Sequence, residues 1–501
     1  MPPRLPPRLT FAAVLLLAGA LAPGGEPPSS SSTTAPATPW PHGAPPSAAA
    51  LDRLLEDANS LEERERLGEF LAASEIHEDS DNLAITQEDV DENLYDKAIL
   101  FQFGDEFFSH EFTRPNGYGD SSFTTLKRVH AGVRGGLDSF SCAGCHSLGG
   151  PDGAGSPTQN AMIQGDGDHA GSALVRNPPA LLGLGMVQAI GAEMSHDLQF
   201  QRQTALEKAK TTGQPVTLAL VTKGISFGTI VVQPGADIDY AKLDGVDFDL
   251  VIKPFGRKGT ISRLRRFVED AARLHFGVQS HLLALGYQNK PDVPHLGPGP
   301  DWWDPDNDGK QRELEEGILT TVASYLAMLE VPVVLPPADP GLRDRWASGS
   351  ALFDTVGCSS CHVRKIPLLY TTWHETSDTT GGDVVIDLFA DGEHPRGTNL
   401  VEVFSDFKRH DLGPGLAEPH DDEEHKLPRS VFLTRSLWGL AETPPYLHDG
   451  RAATIPAAIL AHGGEAQPQR DAFAALSSED QANLHVFLLS LTREPKVRVA
   501  R

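Results

Sequence analysis

Four residue classes are scarce in this chain, and each shortage narrows what it can be. Cysteine occurs four times in 501 residues, which leaves little for disulfides. Methionine occurs five times, and the last is Met328, so no thioether donor lies in the final third. Basic residues are outnumbered, 42 Lys and Arg against 68 Asp and Glu, for a formal charge of −26 and a pI near 5.1. That balance argues against nucleic acid or an anionic membrane surface as partner. Past the N-terminus no apolar run reaches 18 residues, so no stable membrane span is expected.

The one marked apolar run is short. Arg4 and Arg8 precede Phe11 to Ala22, about 12 apolar residues, too few to cross ~30 Å of hydrocarbon. The pattern reads as a secretory signal peptide over 1–22, with cleavage options at Ala20 or Ala22, Pro23 disfavouring the second. An uncleaved anchor is the alternative. No cysteine follows the run, so no lipoprotein attachment site is expected.

The four cysteines form two motifs, Cys142-Ala143-Gly144-Cys145-His146 and Cys358-Ser359-Ser360-Cys361-His362. Each is C-x-x-C-H, the attachment pattern of c-type haem. Thiols three residues apart share one helical turn and can form thioethers with both vinyl groups of one haem. The following histidine then lies under the iron. A zinc site pairs C-x-x-C motifs about 15–20 residues apart, whereas about 210 residues intervene here. A redox dithiol accounts for one C-x-x-C, not for two that each carry histidine. Two covalently bound haem c groups are expected, and no thiol remains for disulfides. Covalent haem attachment follows export in bacteria, so signal and motifs agree on a periplasmic or otherwise exported protein.

The length suggests two to four domains. Residues 23–48 are a Pro/Ser/Thr-rich linker, disordered by composition. Helical spacing begins at Ala49. Residues 141–190, rich in Gly and Pro, suit loops around a haem. The fold class expected is mainly α: two cytochrome c-like haem domains with long loops and little β-structure. The N-terminal haem domain spans 49–335 and the C-terminal one 336–501, with the Pro-rich Val331 to Pro340 as boundary. A short helix is expected at Pro456 to Leu460, and a last helix over 477–491 capped by Ser477 or Ser478.

Three C-terminal runs carry a resemblance: Arg435-Ser436-Leu437-Trp438-Gly439-Leu440, Pro445-Tyr446-Leu447-His448-Asp449-Gly450-Arg451-Ala452 and His462-Gly463-Gly464-Glu465-Ala466. With weaker matches at Lys253 to Gly256 and Asp304 to Gly309, the sequence over roughly 98–495 resembles the di-haem cytochrome c peroxidase superfamily, in its di-haem oxidoreductase branch. Arg257 stands where that family shows Trp. The resemblance implies a peroxidase-like oxidoreductase.

The sixth iron ligand sets a haem's potential and reactivity. With no Met beyond Met328, a distal ligand from the second unit must be of another type, and nine histidines follow residue 340. His462 lies fourteen residues after His448. Relatives place an axial Met at that offset, so the resemblance selects His462, with His448 buttressing a turn or a haem propionate. For the first haem the candidates are His275, in a predicted helix with His281 nearby, and His169, in a Gly/Asp loop where relatives carry a loop histidine. His130 and His196 read as surface residues. A carboxylate beside a reactive iron would serve as acid/base, and Glu193 is the candidate.

Asp304-Pro305-Asp306-Asn307-Asp308-Gly309 fits an EF-hand-type calcium loop. Asp304, Asp306, Asp308 and Glu315 fall at positions 1, 3, 5 and 12, and Lys310 at 7. The bland alternative is an Asp-rich capping turn before a helix over 313–328. Trp302 and Trp303 read as packing residues.

The function expected is electron relay from one haem to a reactive second haem, where peroxide or another small oxidant reacts. A small redox protein or a quinol-linked donor would be the partner. The acid charge suits a basic partner and equally plain solubility. The alternatives are an electron-transfer cytochrome without substrate chemistry and a haem oxidase or oxygenase acting on an organic substrate.

Overall fold

The computed structural model describes residues 85–119, 129–130, 133–134, 139–146, 161–163, 174–280, 310, 313–389, 399–422 and 425–493. The signal peptide, the linker, the helical stretch from Ala49, His169, His281, Trp302, Trp303 and Asp304 to Gly309 lie outside them.

Two helix pairs organise the fold. In the first, α2 (Lys97–Ser109) packs on α6 (Glu316–Met328). Helix α2, which follows the short α1 (Gln87–Asp91), starts where the Asp96 carboxylate accepts the Ile99 N–H at 2.9 Å. Its buried residues Leu100, Phe103, Gly104, Phe107 and Phe108 follow a helical period and make one apolar face. At Gly104 a Cβ would fall 2.3 Å from the Tyr325 Cβ, so only glycine admits this approach. The second pair repeats the device. Helix α7 (Pro340–Thr355), capped by Asp339 with Pro340 in its first turn, packs on α10 (Ser478–Leu489). A Cβ at Gly349 would lie 1.9 Å from the Asn483 carbonyl oxygen. Arg345 Nε donates to Asn483 Oδ1 at 2.9 Å and Trp346 Nε1 to Ser490 Oγ at 2.8 Å, locking the register.

Each pair anchors an apolar core. The second core has its buried residues, among them Phe353, Phe404, Ile455, Phe473, Leu484 and Phe487, beyond residue 336, with Val334 packed against it. The first runs from Ile85 to Leu329 but also takes in Ile366, Trp373, Ile386, Val401 and Trp438. Residues past the Pro-rich boundary therefore complete the N-terminal core.

The helices expected from the pattern are present with shifted ends. α8 is Ile455–Ala461 and is followed by α9 (Gln467–Ala474), and Ser477 caps α10 by accepting the Asp480 N–H at 3.1 Å. One long helix was not placed by the sequence pattern, and one feature departs from the expected mainly-α chain. Residues Leu184–Thr212 form one 29-residue helix, α4. Strand content is also larger than expected, spread over small ladders. Six two-stranded pairs and one three-stranded antiparallel sheet, Val216–Thr222, Ile225–Val232 and Ile238–Leu243, occur among the described residues. The first turn of that sheet is Lys223-Gly224, with φ of 53° and 79°, the positive pair that a two-residue hairpin needs.

Candidate haem cavity

Both C-x-x-C-H motifs fold as single helical turns. At the first, α3 (Cys142–Cys145), Ser141 Oγ accepts the Gly144 N–H at 3.1 Å and the His146 N–H reaches the Cys142 carbonyl at 2.9 Å. At the second, Gly357 (φ 93°) starts a turn in which the His362 N–H reaches the Cys358 carbonyl, also at 2.9 Å. No disulfide joins any of the four cysteines. Burial pushes the Cys142 thiol up to about 12 and that of Cys358 to about 11, so neither is a reactive thiolate.

The two motifs open into one cavity of about 650 Å³, lined by Cys142, Cys145 and His146 together with Cys358, Cys361 and His362. His275 and His462 line it as well. Three of these histidines share one arrangement. Nδ1–H of His146 donates to the Pro179 carbonyl at 3.0 Å, that of His362 to the Phe404 carbonyl at 3.0 Å, and that of His462 to the Ala458 carbonyl at 2.8 Å. A carbonyl can only accept, so Nδ1 carries the proton and Nε2 keeps its lone pair for a metal. Burial drives His146 and His362 down to about 4 and lowers His462. All three are neutral at pH 7, as iron ligation requires.

Each motif histidine also has a second histidine nearby. His275 is close enough to His146 to depress its pKa further, and His462 does the same to His362. His275 sits in a π-helical turn, Ala272–Phe276, that continues α5 (Leu264–Ala271). Helix α5 is fixed to α6 by Arg265, which is fully buried and donates to Glu316 Oε1 and Thr320 Oγ1, both at 2.8 Å. His462 follows the C-terminus of α8. The structure thus brings His275 to the first motif and His462 to the second.

Glu193 goes elsewhere. Its carboxylate accepts the N–H groups of Leu369 (2.8 Å) and Tyr370 (2.7 Å), pairs with Lys223 and does not line the cavity. His448 packs its ring on Phe432, centroids 4.4 Å apart, while its carbonyl accepts the Asn177 N–H at 2.8 Å. This is a turn-buttressing position. His196 is exposed on α4 and His130 lies in a short strand. Of the calcium candidates, Asp304, Asp306 and Asp308 lie outside the described residues. Glu315 is the residue before α6, its carbonyl accepting the Ile318 N–H at 3.1 Å, and Lys310 is half-buried.

One group escaped the sequence reading. His410 is buried between two carboxylates, Asp406 (Nε2, 2.9 Å) and Glu465 (Nδ1, 2.7 Å). Burial opposes its charge, but hydrogen bonds to Asp406, Cys361 and Glu465 outweigh it and raise the imidazole to about 11. Asp406, His410 and Cys361 have ligand atoms within 4.8 Å of one another. With both His410 nitrogens donating to carboxylates, the set is an ion-pair clamp beside the second motif. No sequence signal marks it, because Asp406 and His410 meet through turns at Phe404 and Phe407, both with positive φ.

No curated protein matches the chain. Among the solved structures similar to it are two at low identity. One is hydrazine synthase of Kuenenia stuttgartiensis, pressurised with xenon: 13% identical, covering 93% of this chain and 100% of that one, TM-score 0.33. The other is a MauG-like protein associated with microbial copper homeostasis: 13% identical, covering 53% and 79%, TM-score 0.27. Similarity that low carries no argument. Residues 320–491 match the family described as "Di-haem oxidoreductase, putative peroxidase". The matched span, about a third of the chain, contains the second C-x-x-C-H motif and all three C-terminal runs, so this part of the chain is similar to the di-haem oxidoreductase family.

Proposed function

We propose that the chain is a periplasmic di-haem c-type oxidoreductase, peroxidase-like, in which one haem relays electrons to the other. The observation that carries this reading is the single cavity lined by both attachment motifs, with His275 beside His146 and His462 beside His362. Bound haem would supply one-electron chemistry at iron. The chain's own residues do the rest. Cys142, Cys145, Cys358 and Cys361 would hold the two groups. His146 and His362, each fixed by a backbone carbonyl, would present Nε2 to the metal. Apolar walls from Phe108, Leu326, Phe353 and Leu488 would exclude water. Calcium at Asp304, Asp306, Asp308, Lys310 and Glu315 belongs to the same proposal, as do a small redox protein as partner and a small oxidant such as peroxide.

A second reading is favoured by one observation. A histidine stands near each motif histidine, so both irons could be six-coordinate, as in an electron-transfer cytochrome. The carboxyl of Asp422 in the cavity wall is held at about 2 by hydrogen bonds from His425, against the effect of burial. It stays ionised and is a poor proton donor. Electronic spectra of both redox states decide between the readings. A high-spin haem in either state marks an iron open to peroxide. Two low-spin haems that ignore added peroxide leave electron transfer alone. A denatured chain whose mass exceeds the polypeptide by fewer than two haems overturns both.

A further inference from the structure

Five arginines line the cavity, and four of them are paired. Arg176 meets Glu418 at 2.9 Å, Arg257 donates to both oxygens of Glu418 at 2.5 and 3.2 Å, Arg273 donates to Asp270 at 3.0 Å and Arg470 to Asp471 at 2.7 Å. Arg435 has no ion pair or hydrogen bond to its guanidinium among the described residues. Its backbone is pinned on both sides. The Thr434 carbonyl accepts Ser405 Oγ at 2.7 Å, the Thr434 N–H donates to the Lys408 carbonyl at 2.9 Å, and the buried Trp438 donates Nε1 to the Glu402 carbonyl at 2.7 Å. The main chain is therefore fixed while the cation faces the cavity alone. Burial by itself lowers its pKa, with no neighbouring charge contributing.

A desolvated cation without a counter-charge is costly, and folded chains keep one where a ligand supplies the missing charge. A guanidinium presents two parallel donors, and the matching planar acceptor is a carboxylate. We propose that Arg435 is a carboxylate-binding residue of the cavity, taking a carboxylate that the chain itself does not provide. Two sources share that chemistry: a propionate of a bound haem, or a free organic acid admitted to the cavity. The inference rests on the di-haem reading only for the first source.

The test uses the exported full-length protein and two variants, Arg435→Gln, neutral and of similar length, and Arg435→Lys, which keeps the charge but loses the fork. Haem content by pyridine haemochrome and mass comes first. If the unmodified protein lacks two haems, the di-haem reading fails independently, and acetate binding alone judges Arg435. With two haems present, midpoint potentials are measured by spectroelectrochemistry and acetate is titrated as the probe carboxylate. If the ligand is a propionate, the potential of one haem falls in the Gln variant, because a cation that favoured Fe(II) is gone. The Lys variant falls less, and acetate has no effect on any of the three proteins. If the ligand is free, acetate perturbs the unmodified protein saturably and the Gln variant needs at least tenfold more. A Gln variant that does not fold leaves the Lys variant and the acetate titration to decide. Unchanged potentials together with an acetate response that is absent, or unaltered by substitution, overturn the proposal.

Discussion

His410 and Glu465 join the two sides of the second motif's pocket. Glu465 lies three residues beyond His462, and its Oε2 is 2.7 Å from His410 Nδ1 while its Oε1 accepts the Asp411 N–H at 2.9 Å. The loop that supplies the Phe404 carbonyl to His362 is thereby tied to the turn that carries His462. The two carboxylates differ in burial. Asp406 is buried and Glu465 is half-exposed. Asp406→Asn should cost about 3 kcal/mol, because it strands a buried imidazolium, and Glu465→Gln no more than about 1 kcal/mol. Urea unfolding of the two variants checks the ratio. Because the folded pKa of His410 is raised to about 11, its contribution is complete below 6.5 and fades as pH rises through 11. Stability should fall over that window and fall less in His410→Gln.

Glu375 is an acid whose pKa is likewise raised, at lower pH. It is buried, and burial outweighs Arg265 (3.3 Å) and Arg263 (3.4 Å) to raise its carboxyl to about 7. For an acid whose folded pKa is raised, the contribution is complete below the unfolded value of 4.5 and is lost as pH climbs through about 7. Glu375→Gln removes the titration. Between pH 4.5 and 7 the stability difference should move in the variant's favour by up to about 3 kcal/mol. Parallel unfolding curves across that range would refute the assignment.

The crossing of α7 and α10 predicts a steric effect. With a Cβ at position 349 only 1.9 Å from the Asn483 oxygen, Gly349→Ala must push the helices apart. A loss of about 2–3 kcal/mol is expected, read as a lower urea midpoint with unchanged slope.

The distal position of the second haem predicts a redox shift. If His462 ligates that iron, His462→Met should raise its potential, since thioether favours Fe(II) more than imidazole does. A weak near-infrared band should appear on oxidation. Potential and spectrum unchanged in His462→Ala would move the ligand elsewhere, with His448 the next to test.

Calcium, if bound at Asp304 to Glu315, should raise the thermal midpoint reversibly, and Glu315→Gln should weaken the effect by removing a bidentate ligand's charge. Chelator without effect, and no calcium by elemental analysis, would reduce the loop to a turn.

The attachment motifs were legible because five contiguous residues hold all their chemistry. His462, which lines the cavity with His362, was singled out by the resemblance together with the lack of any later Met. His275 could not be separated from His169 in the sequence, since nothing local to His275 says that the fold carries it near His146. That depends on Arg265 locking α5 onto α6, a contact across 51 residues. The Val216–Val232 hairpin was missed although Lys223-Gly224 marks its turn, because Ala219 and Gly228 blur the alternation of its strands. Pro179 and Phe404, which orient the two motif histidines, act through backbone carbonyls and leave no trace in side-chain identity.

The cavity common to both motifs bears on how this sequence can drift. Residues around an ordinary core accommodate a lost methyl by leaning into the gap, since their neighbours are as pliable as they are. Here the lining of both halves faces one hollow of about 650 Å³. If rigid, covalently tethered rings fill it, they cannot lean. A substitution in the wall near one motif would then have to be answered by another residue of the wall. Positions such as Leu326 and Leu488, far apart in sequence, should co-vary as though they touched.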